Sequence, residues 1–438
     1  SEIGGSAANG AIVINADDVA LAVSTGTPNI QSSNSLTIQP RTASTTIGIG
    51  GGSGTLNLDD TELGFLQNGF SSITIGDAAA GTGAIDVNSS TFNDPVTIVG
   101  GSIAVTELAA GTNSVTLTAR AGAITDGGNG GIDVTGGNLL ATATAGVGTG
   151  ADAIETSVGN LEAVGGSGGV NISNTGDVTI GGVSGSLTGV STTNSNITIA
   201  AASDLIVSEA IGGGAGSITL SATEDVTISA NVTATGAGAI DIDAAGKLQV
   251  DGAAQVTAQT GTVALDAAAG GLVVGDTAKV TATSGSLTLN GTHTASNGVT
   301  IGSPASISTT SGNIAITGTG TVNGVSIDDG NGNNSTIISS TSGNVTITGS
   351  TSSTGNDQAG IFFRDIIQVG SGTLTLSGTA TAGNNFGVFS DNSISTNDLR
   401  STNSGDIVIT ADGFGARADL RLNHSPVGGS TGTVGGAN

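Results

Sequence analysis

The sequence predicts an all-β solenoid, a chain that coils and lays each strand on the one before. Two observations carry this. The first is a phrase of glycine, any residue, aliphatic, any residue, aliphatic, eight copies of which follow one another at coil spacing through the second half. It reads Gly216-Ser-Ile-Thr-Leu220, Gly238-Ala-Ile-Asp-Ile242, Gly261-Thr-Val-Ala-Leu265 and Gly285-Ser-Leu-Thr-Leu289, then Gly312-Asn-Ile-Ala-Ile316, Gly343-Asn-Val-Thr-Ile347, Gly372-Thr-Leu-Thr-Leu376 and Gly405-Asp-Ile-Val-Ile409. The glycine-to-glycine gaps are 22, 23, 24, 27, 31, 29 and 33 residues. A period-2 apolar phrase at such spacing marks stacked coils, here irregular ones of roughly 20–33 residues. The gaps vary because surplus residues leave a coil as surface loops while the strand returns to its place.

The second observation is composition. The 438 residues include 76 glycines and 5 prolines, no Cys, Met, Trp or Tyr, and only 8 Phe. A thick globular core of this length would draw on aromatic rings. A solenoid core is thin, and Ile, Val, Leu and Ala fill it. Disorder would also favour Gly, Ser, Thr and Asn. It is excluded by 36% hydrophobic residues, a mean hydropathy of +0.23 and β-branched residues in alternation.

Strand phrases begin almost at once, with Ala11-Ile-Val-Ile14 and Val19-Ala-Leu-Ala-Val23, then Ser35-Leu-Thr-Ile38, Thr46-Ile-Gly-Ile49 and Thr55-Leu-Asn-Leu58. Residues 59–70 break the alternation. Their start, Asp59-Asp-Thr-Glu-Leu63, suits one helical turn or a wide loop. Alternation resumes in Ser72-Ile-Thr-Ile75, Ala84-Ile-Asp-Val87, Pro95-Val-Thr-Ile98, Ser102-Ile-Ala-Val105 and Ser114-Val-Thr-Leu117. Between 120 and 190 the phrases shorten and glycine thickens, and from Ile197 to Ile409 the pattern is clearest. No Pro-rich or charged linker divides the chain, so one continuous solenoid is expected over residues 1–425, followed by a Gly-rich tail at 426–438.

Within one coil, Ile218 and Leu220 point to one side and Thr219 to the other. Stacking Ile218, Ile240, Val263, Leu287, Ile314, Val345, Leu374 and Ile407 makes an internal aliphatic ladder. Each buried member contributes about 1.5–3 kcal/mol relative to exposure. The glycine before each phrase is expected to turn the corner with positive φ. At a spacing of ~4.8 Å per coil the chain would form a rod on the order of 80 Å long.

The charge balance is 8 Lys+Arg against 34 Asp+Glu, a net −26. Phosphate backbones are bound by clustered Lys and Arg, so nucleic acid is excluded as a partner, and so is charge-driven adhesion to an anionic membrane. No run approaches the ~18 apolar residues of a membrane helix. With no cysteine, stability comes from stacking and not from disulfides. The opening, Ser1-Glu-Ile-Gly-Gly5, has neither a basic nor an apolar leader region, which suggests a processed protomer or a piece of something larger.

The stretch Leu36-Thr-Ile-Gln-Pro40, Thr46-Ile-Gly-Ile49, Thr55-Leu-Asn-Leu-Asp-Asp-Thr-Glu-Leu63, Ser72-Ile-Thr-Ile-Gly76, Phe92-Asn-Asp-Pro-Val96 and Ala123-Ile-Thr-Asp126 resembles a recurring unit of giant bacterial surface proteins. These are the filamentous-haemagglutinin-like, β-strand-repeat adhesins. The resemblance is sharp over about residues 35–130 and stylistic elsewhere. It implies a right-handed parallel β-helix, export across the outer membrane to the cell surface or medium, and a part in adhesion or extracellular matrix. It carries over no catalytic residue.

Candidate chemistry is sparse. His293 and His424, the only histidines, sit in loop-like surroundings and are expected on the surface. Two histidines and no cysteine do not make a transition-metal site. A polysaccharide-cleaving or polysaccharide-binding β-helix is the alternative function. It would use Lys247 and Lys279 with Asp241, Asp243, Asp251 and Asp266, which solvated coil faces also explain. Calcium is the more plausible ion. Asp328, Asp329, Asn331 and Asn333 offer oxygen ligands on a Gly/Asn-rich segment without the bidentate Glu of a calcium loop, and Gly127-Gly-Asn-Gly-Gly-Ile-Asp133 is faintly similar to the glycine-rich repeat of calcium-binding β-rolls.

Residues 360–421 gather Phe362, Phe363, Phe386, Phe389 and Phe414 with Arg364, Arg400, Arg417 and Arg421. One reading is a wider terminal coil with its own aromatic core. The other is a contact surface. No capping helix or charged, proline-containing strand marks either end, so end-to-end stacking is expected. Residues near Ile12 in one molecule would face the 405–425 region of a copy or an equivalent coil, and the interface candidates are Ile12, Ile14, Phe362, Phe363, Phe386, Phe389, Phe414 and Arg417. The expected protein is non-catalytic, a structural solenoid of a bacterial surface adhesin or extracellular fibre, with a surface glycan or matrix as a further partner.

Overall fold

The computed structural model describes residues 2–21, 29–128, 130–150, 152–328, 337–390 and 398–422. Asp329, Asn331, Asn333, His424 and the 426–438 tail lie outside them. The chain is a parallel β-helix, and it forms two compact units, Ser1–Ser203 and Asp204–Asn438.

In the first unit one ladder runs Ile12, Leu36, Ile73, Val96, Val115, Leu139, Leu161, each residue in parallel register with the next. A second runs Ile47, Ile85, Ile103, Ile124, Val147, Val170, Ile197. From Leu36 and Ile47 onward these residues are 0–2% exposed. The break at 59–70 contains a one-turn helix, Asp60–Leu63. Asp59 accepts the Glu62 N–H (2.9 Å) and Glu62 accepts the Asp59 N–H (3.1 Å), a reciprocal cap that satisfies two donors a short helix cannot pair itself.

In the second unit each coil gives one strand to each of three parallel stacks. Ile240–Ala244, Leu248–Val250 and Gln255–Ala258 lie in register under Val263–Ala267, Leu272–Val274 and Lys279–Ala282. The expected ladder is present in full. Ile218 pairs with Ile240, then Val263, Leu287, Ile314, Val345, Leu374 and Ile407 without a slip. The first seven are 0–1% exposed, and Ile407 is half-buried. The register is enforced because a one-residue slip would turn every aliphatic outward.

The phrase glycines behave differently from expectation. None of the eight has a positive φ. Their constraint is the coil beneath. A Cβ on Gly285 would stand 1.7 Å from the Gly261 carbonyl oxygen, and one on Gly312 would stand 1.9 Å from that of Gly285. The same holds for Gly343 over Gly312 (2.0 Å) and Gly372 over Gly343 (2.1 Å). Glycine recurs because stacked backbones approach too closely at that corner for any side chain. Among the described residues no helix is long and apolar enough to cross a membrane.

Candidate functional sites

The lysines that the alternative, polysaccharide-directed function would use do not converge with the carboxylates. Asp243 lies in register with Asp266 on neighbouring strands, and one oxygen each from Asp241, Asp243 and Asp266 falls within a 4.8 Å cluster. Burial, followed by the charges of Asp241 and Asp266, raises the Asp243 carboxyl above the ordinary carboxylate range. Asp266 accepts the Asn290 side-chain amide at 2.5 Å. Lys247 instead donates to Gln249, and Gln249 donates to Asp251, along the Leu248–Val250 strand of a different stack. Lys279 opens a strand of the third stack. The groove fails because alternate faces of a three-sided coil separate residues that are close in sequence.

The first unit has an open depression of about 610 Å³ lined by Thr46, Thr55, Asp86, Ser102, Ala104 and Thr125 among others. Its one lining carboxylate, Asp86, already accepts the Ser53 N–H at 2.7 Å. An acid–base pair needs two converging groups, and this surface offers one.

Of the calcium candidates, Asp328 is described, and its carboxylate accepts both Arg364 contacts, at 3.1 and 3.4 Å. An arginine in that position neutralises the charge a cation would need, so the structure assigns Asp328 to an ion pair. His293 accepts the Ala295 N–H at 3.0 Å through Nδ1 within its own turn.

The phenylalanines are used by the chain itself. Phe363 is 1% exposed in the core, and Phe386 (2%) and Phe389 (9%) form a second small core with Ala359, against which Phe362 packs. Phe362 and Phe389 lie in register on adjacent strands, ring centres 5.5 Å apart edge to face. Phe386 and Phe389 are 4.7 Å apart. Arg421, in register with Phe389, caps the stack at 5.2 Å from that ring, and Arg417 lies 5.5 Å from Phe386 while pairing with Asp357. Phe363, Phe386 and Phe389 are therefore not a free contact surface. The aromatic-core expectation describes them, because stacking one coil on the next brings the rings together. Phe414 (48% exposed) and the half-buried Phe362 are the accessible ones.

Ile12 and Ile14 are half-buried, with Val13 at 57% exposed between them. Ile407 and Ile409 are likewise half-buried, with Val408 at 45%.

Sequence reasoning missed Glu155 as a partner of Asp133. The signal was coil spacing: Asp133 and Glu155 are 22 residues apart and stack directly. No family model, curated protein or solved structure matches the chain.

Proposed function

We propose that this chain is a structural, non-catalytic β-solenoid of a bacterial surface adhesin or extracellular fibre, joined end to end with copies of itself or with adjoining repeats. The observation that carries the reading is the in-register aliphatic ladder, whose internal members are sealed from water. A stack so regular provides extension and stiffness, and its open sheet edges accept a further coil. The coils carrying Ile12–Asn15 and Ile407–Asp412 support the assembly part. Their ladder positions are half-buried where internal equivalents are sealed.

Sedimentation and negative-stain electron microscopy of the purified chain over a range of concentrations test this. The expected result is rods that lengthen with concentration, with lengthening reduced by Val13→Asp or Val408→Asp. A monodisperse particle at all concentrations would remove the end-to-end joint. Release of oligosaccharide from a bacterial or plant polysaccharide, lost on Asp243→Asn or Asp266→Asn, would replace the structural reading with the polysaccharide-active one.

A further inference from the structure

Asp126 closes the strand Ile124–Asp126, which pairs with Ile103–Val105 of the preceding coil. Eight residues later the chain re-enters the same stack, and Val134 pairs with Leu108. The preceding coil spans this gap with two residues, Thr106 and Glu107, so this coil leaves and rejoins the stack at two aspartates, Asp126 and Asp133. Val134 pairs on its other side with Thr156, which stacks Asp133 beneath Glu155. One oxygen from each of Asp126, Asp133 and Glu155 lies within 4.8 Å of the others.

Three carboxylates so close repel one another unless something positive stands between them. Asp133 is the telling member, because its side chain is 0% exposed. Oδ2 accepts the Glu155 N–H at 2.9 Å, whereas Oδ1 is buried with no hydrogen-bond partner. The first unit shows how this fold treats another buried acid. Glu162, also 0% exposed, accepts the Val183 and Ser184 N–H groups (2.8 and 2.9 Å) through Oε1 and the Ser184 hydroxyl (2.7 Å) through Oε2. Buried carboxylate oxygens are normally satisfied in this way, and an unsatisfied one costs the full loss of its hydration. Asp126 accepts the Gly128 N–H at 2.7 Å, which fixes the first turn after the strand.

We propose that Asp126, Asp133 and Glu155 bind a calcium ion, with the bare Oδ1 of Asp133 as the buried ligand. The donor set is all oxygen and all carboxylate, which selects a hard cation over zinc or copper. Calcium ligands lie about 2.3–2.6 Å from the ion, so oxygens that share one ion are at most roughly 4.6–5.2 Å apart, and these three fall within that limit. Magnesium, at about 2.0–2.1 Å, demands near-ideal octahedral geometry and dehydrates reluctantly, so it suits an all-protein carboxylate cluster less well. The ion would tie the two points where this coil leaves and rejoins the stack to the next coil. This site does not rest on the adhesin reading, because its three ligands belong to internal coils of the first unit.

Calorimetric titration of the chelator-treated full chain with calcium chloride, with thermal unfolding in parallel, is the test. Wild type should bind calcium saturably and unfold at a higher temperature when loaded. Asp133→Asn and, separately, Glu155→Gln should weaken that binding at least tenfold and remove the thermal shift. Glu162→Gln and Asp243→Asn should retain both, and magnesium should substitute poorly. Circular dichroism of the calcium-free variants checks that they fold. If wild type shows no saturable calcium binding up to millimolar concentration, or if Asp133→Asn binds as wild type does, the proposal is overturned.

Discussion

From Ile218 to Ile407 eight aliphatic residues follow one another in register, and the glycines before them stack with no room for a methyl group. Between Ile124 and Val158 the same kind of coil is interrupted, and an excursion delivers a buried carboxylate whose second oxygen lacks a partner. The first region repeats one solution coil after coil. The second gives up a stretch of regular pairing and gains a cluster of three carboxylates on stacked strands. In a solenoid, stability belongs to the repeated register and ligand chemistry to the places where it is broken.

The largest expected effect comes from breaking the repeated region at its centre. Leu287→Ala, flanked in register by Val263 and Ile314, should destabilise the protein by about 2–5 kcal/mol in denaturant titration. Ile407→Ala, at a half-buried member of the same ladder, should cost clearly less. Equal losses would mean that the ladder does not act through burial. Next comes Gly285→Ala, whose methyl group would collide with the Gly261 carbonyl, at about 1–3 kcal/mol. Alanine is tolerated if the glycine is a conformational accident, and the melting temperature would then be unchanged.

The two buried acids sharpen the comparison. Glu162→Gln exchanges an acceptor for a donor among three donors and should cost about 1–3 kcal/mol. Above about pH 8 and without calcium, Asp133→Asn should be neutral or stabilising, since it then removes one of three like charges. Burial first, then the carboxylates of Asp126 and Glu155, push the Asp133 carboxyl up to about 8, against which its bond from the Glu155 N–H works in the opposite direction. Glu107, exposed on the coil before, is the other acid in line with it. The folded state therefore holds a proton that the unfolded chain has released above about pH 4. Without calcium, stability should fall as pH rises from about 4 to about 8 and level off above. Asp133→Asn should flatten that slope, and a slope unchanged in the variant would assign it to other groups. The smallest effect is Arg421→Ala, which removes a guanidinium from the Phe389 and Phe386 rings, at about 0.5–1 kcal/mol.

The ladder was legible in the sequence because each member recurs at a fixed place in a local phrase, and burial demands that phrase in every coil. The corner glycines were legible as positions but not in their cause, since the close approach comes from the neighbouring coil and not from their own φ. Lys247, Lys279 and the nearby aspartates, which the alternative function would draw together, lie on different stacks, because proximity along a three-sided coil is not proximity in space. The segment ending at Asp133 was visible as a glycine-rich motif. Its partner Glu155 was not, because the pairing depends on which coil position each strand occupies after an excursion of unpredictable length.

Hydrogen–deuterium exchange of the full chain with and without calcium tests the division of labour between the two regions most directly. The account predicts that amides of Val263–Ala267, Leu287–Thr292 and Ile314–Gly320 exchange slowly and equally in both states. Calcium should slow exchange in the peptides spanning Asp126 to Val134 and around Glu155. Protection that rises along the second unit's ladder on adding calcium, or that leaves the Asp133 coil unchanged, would contradict it.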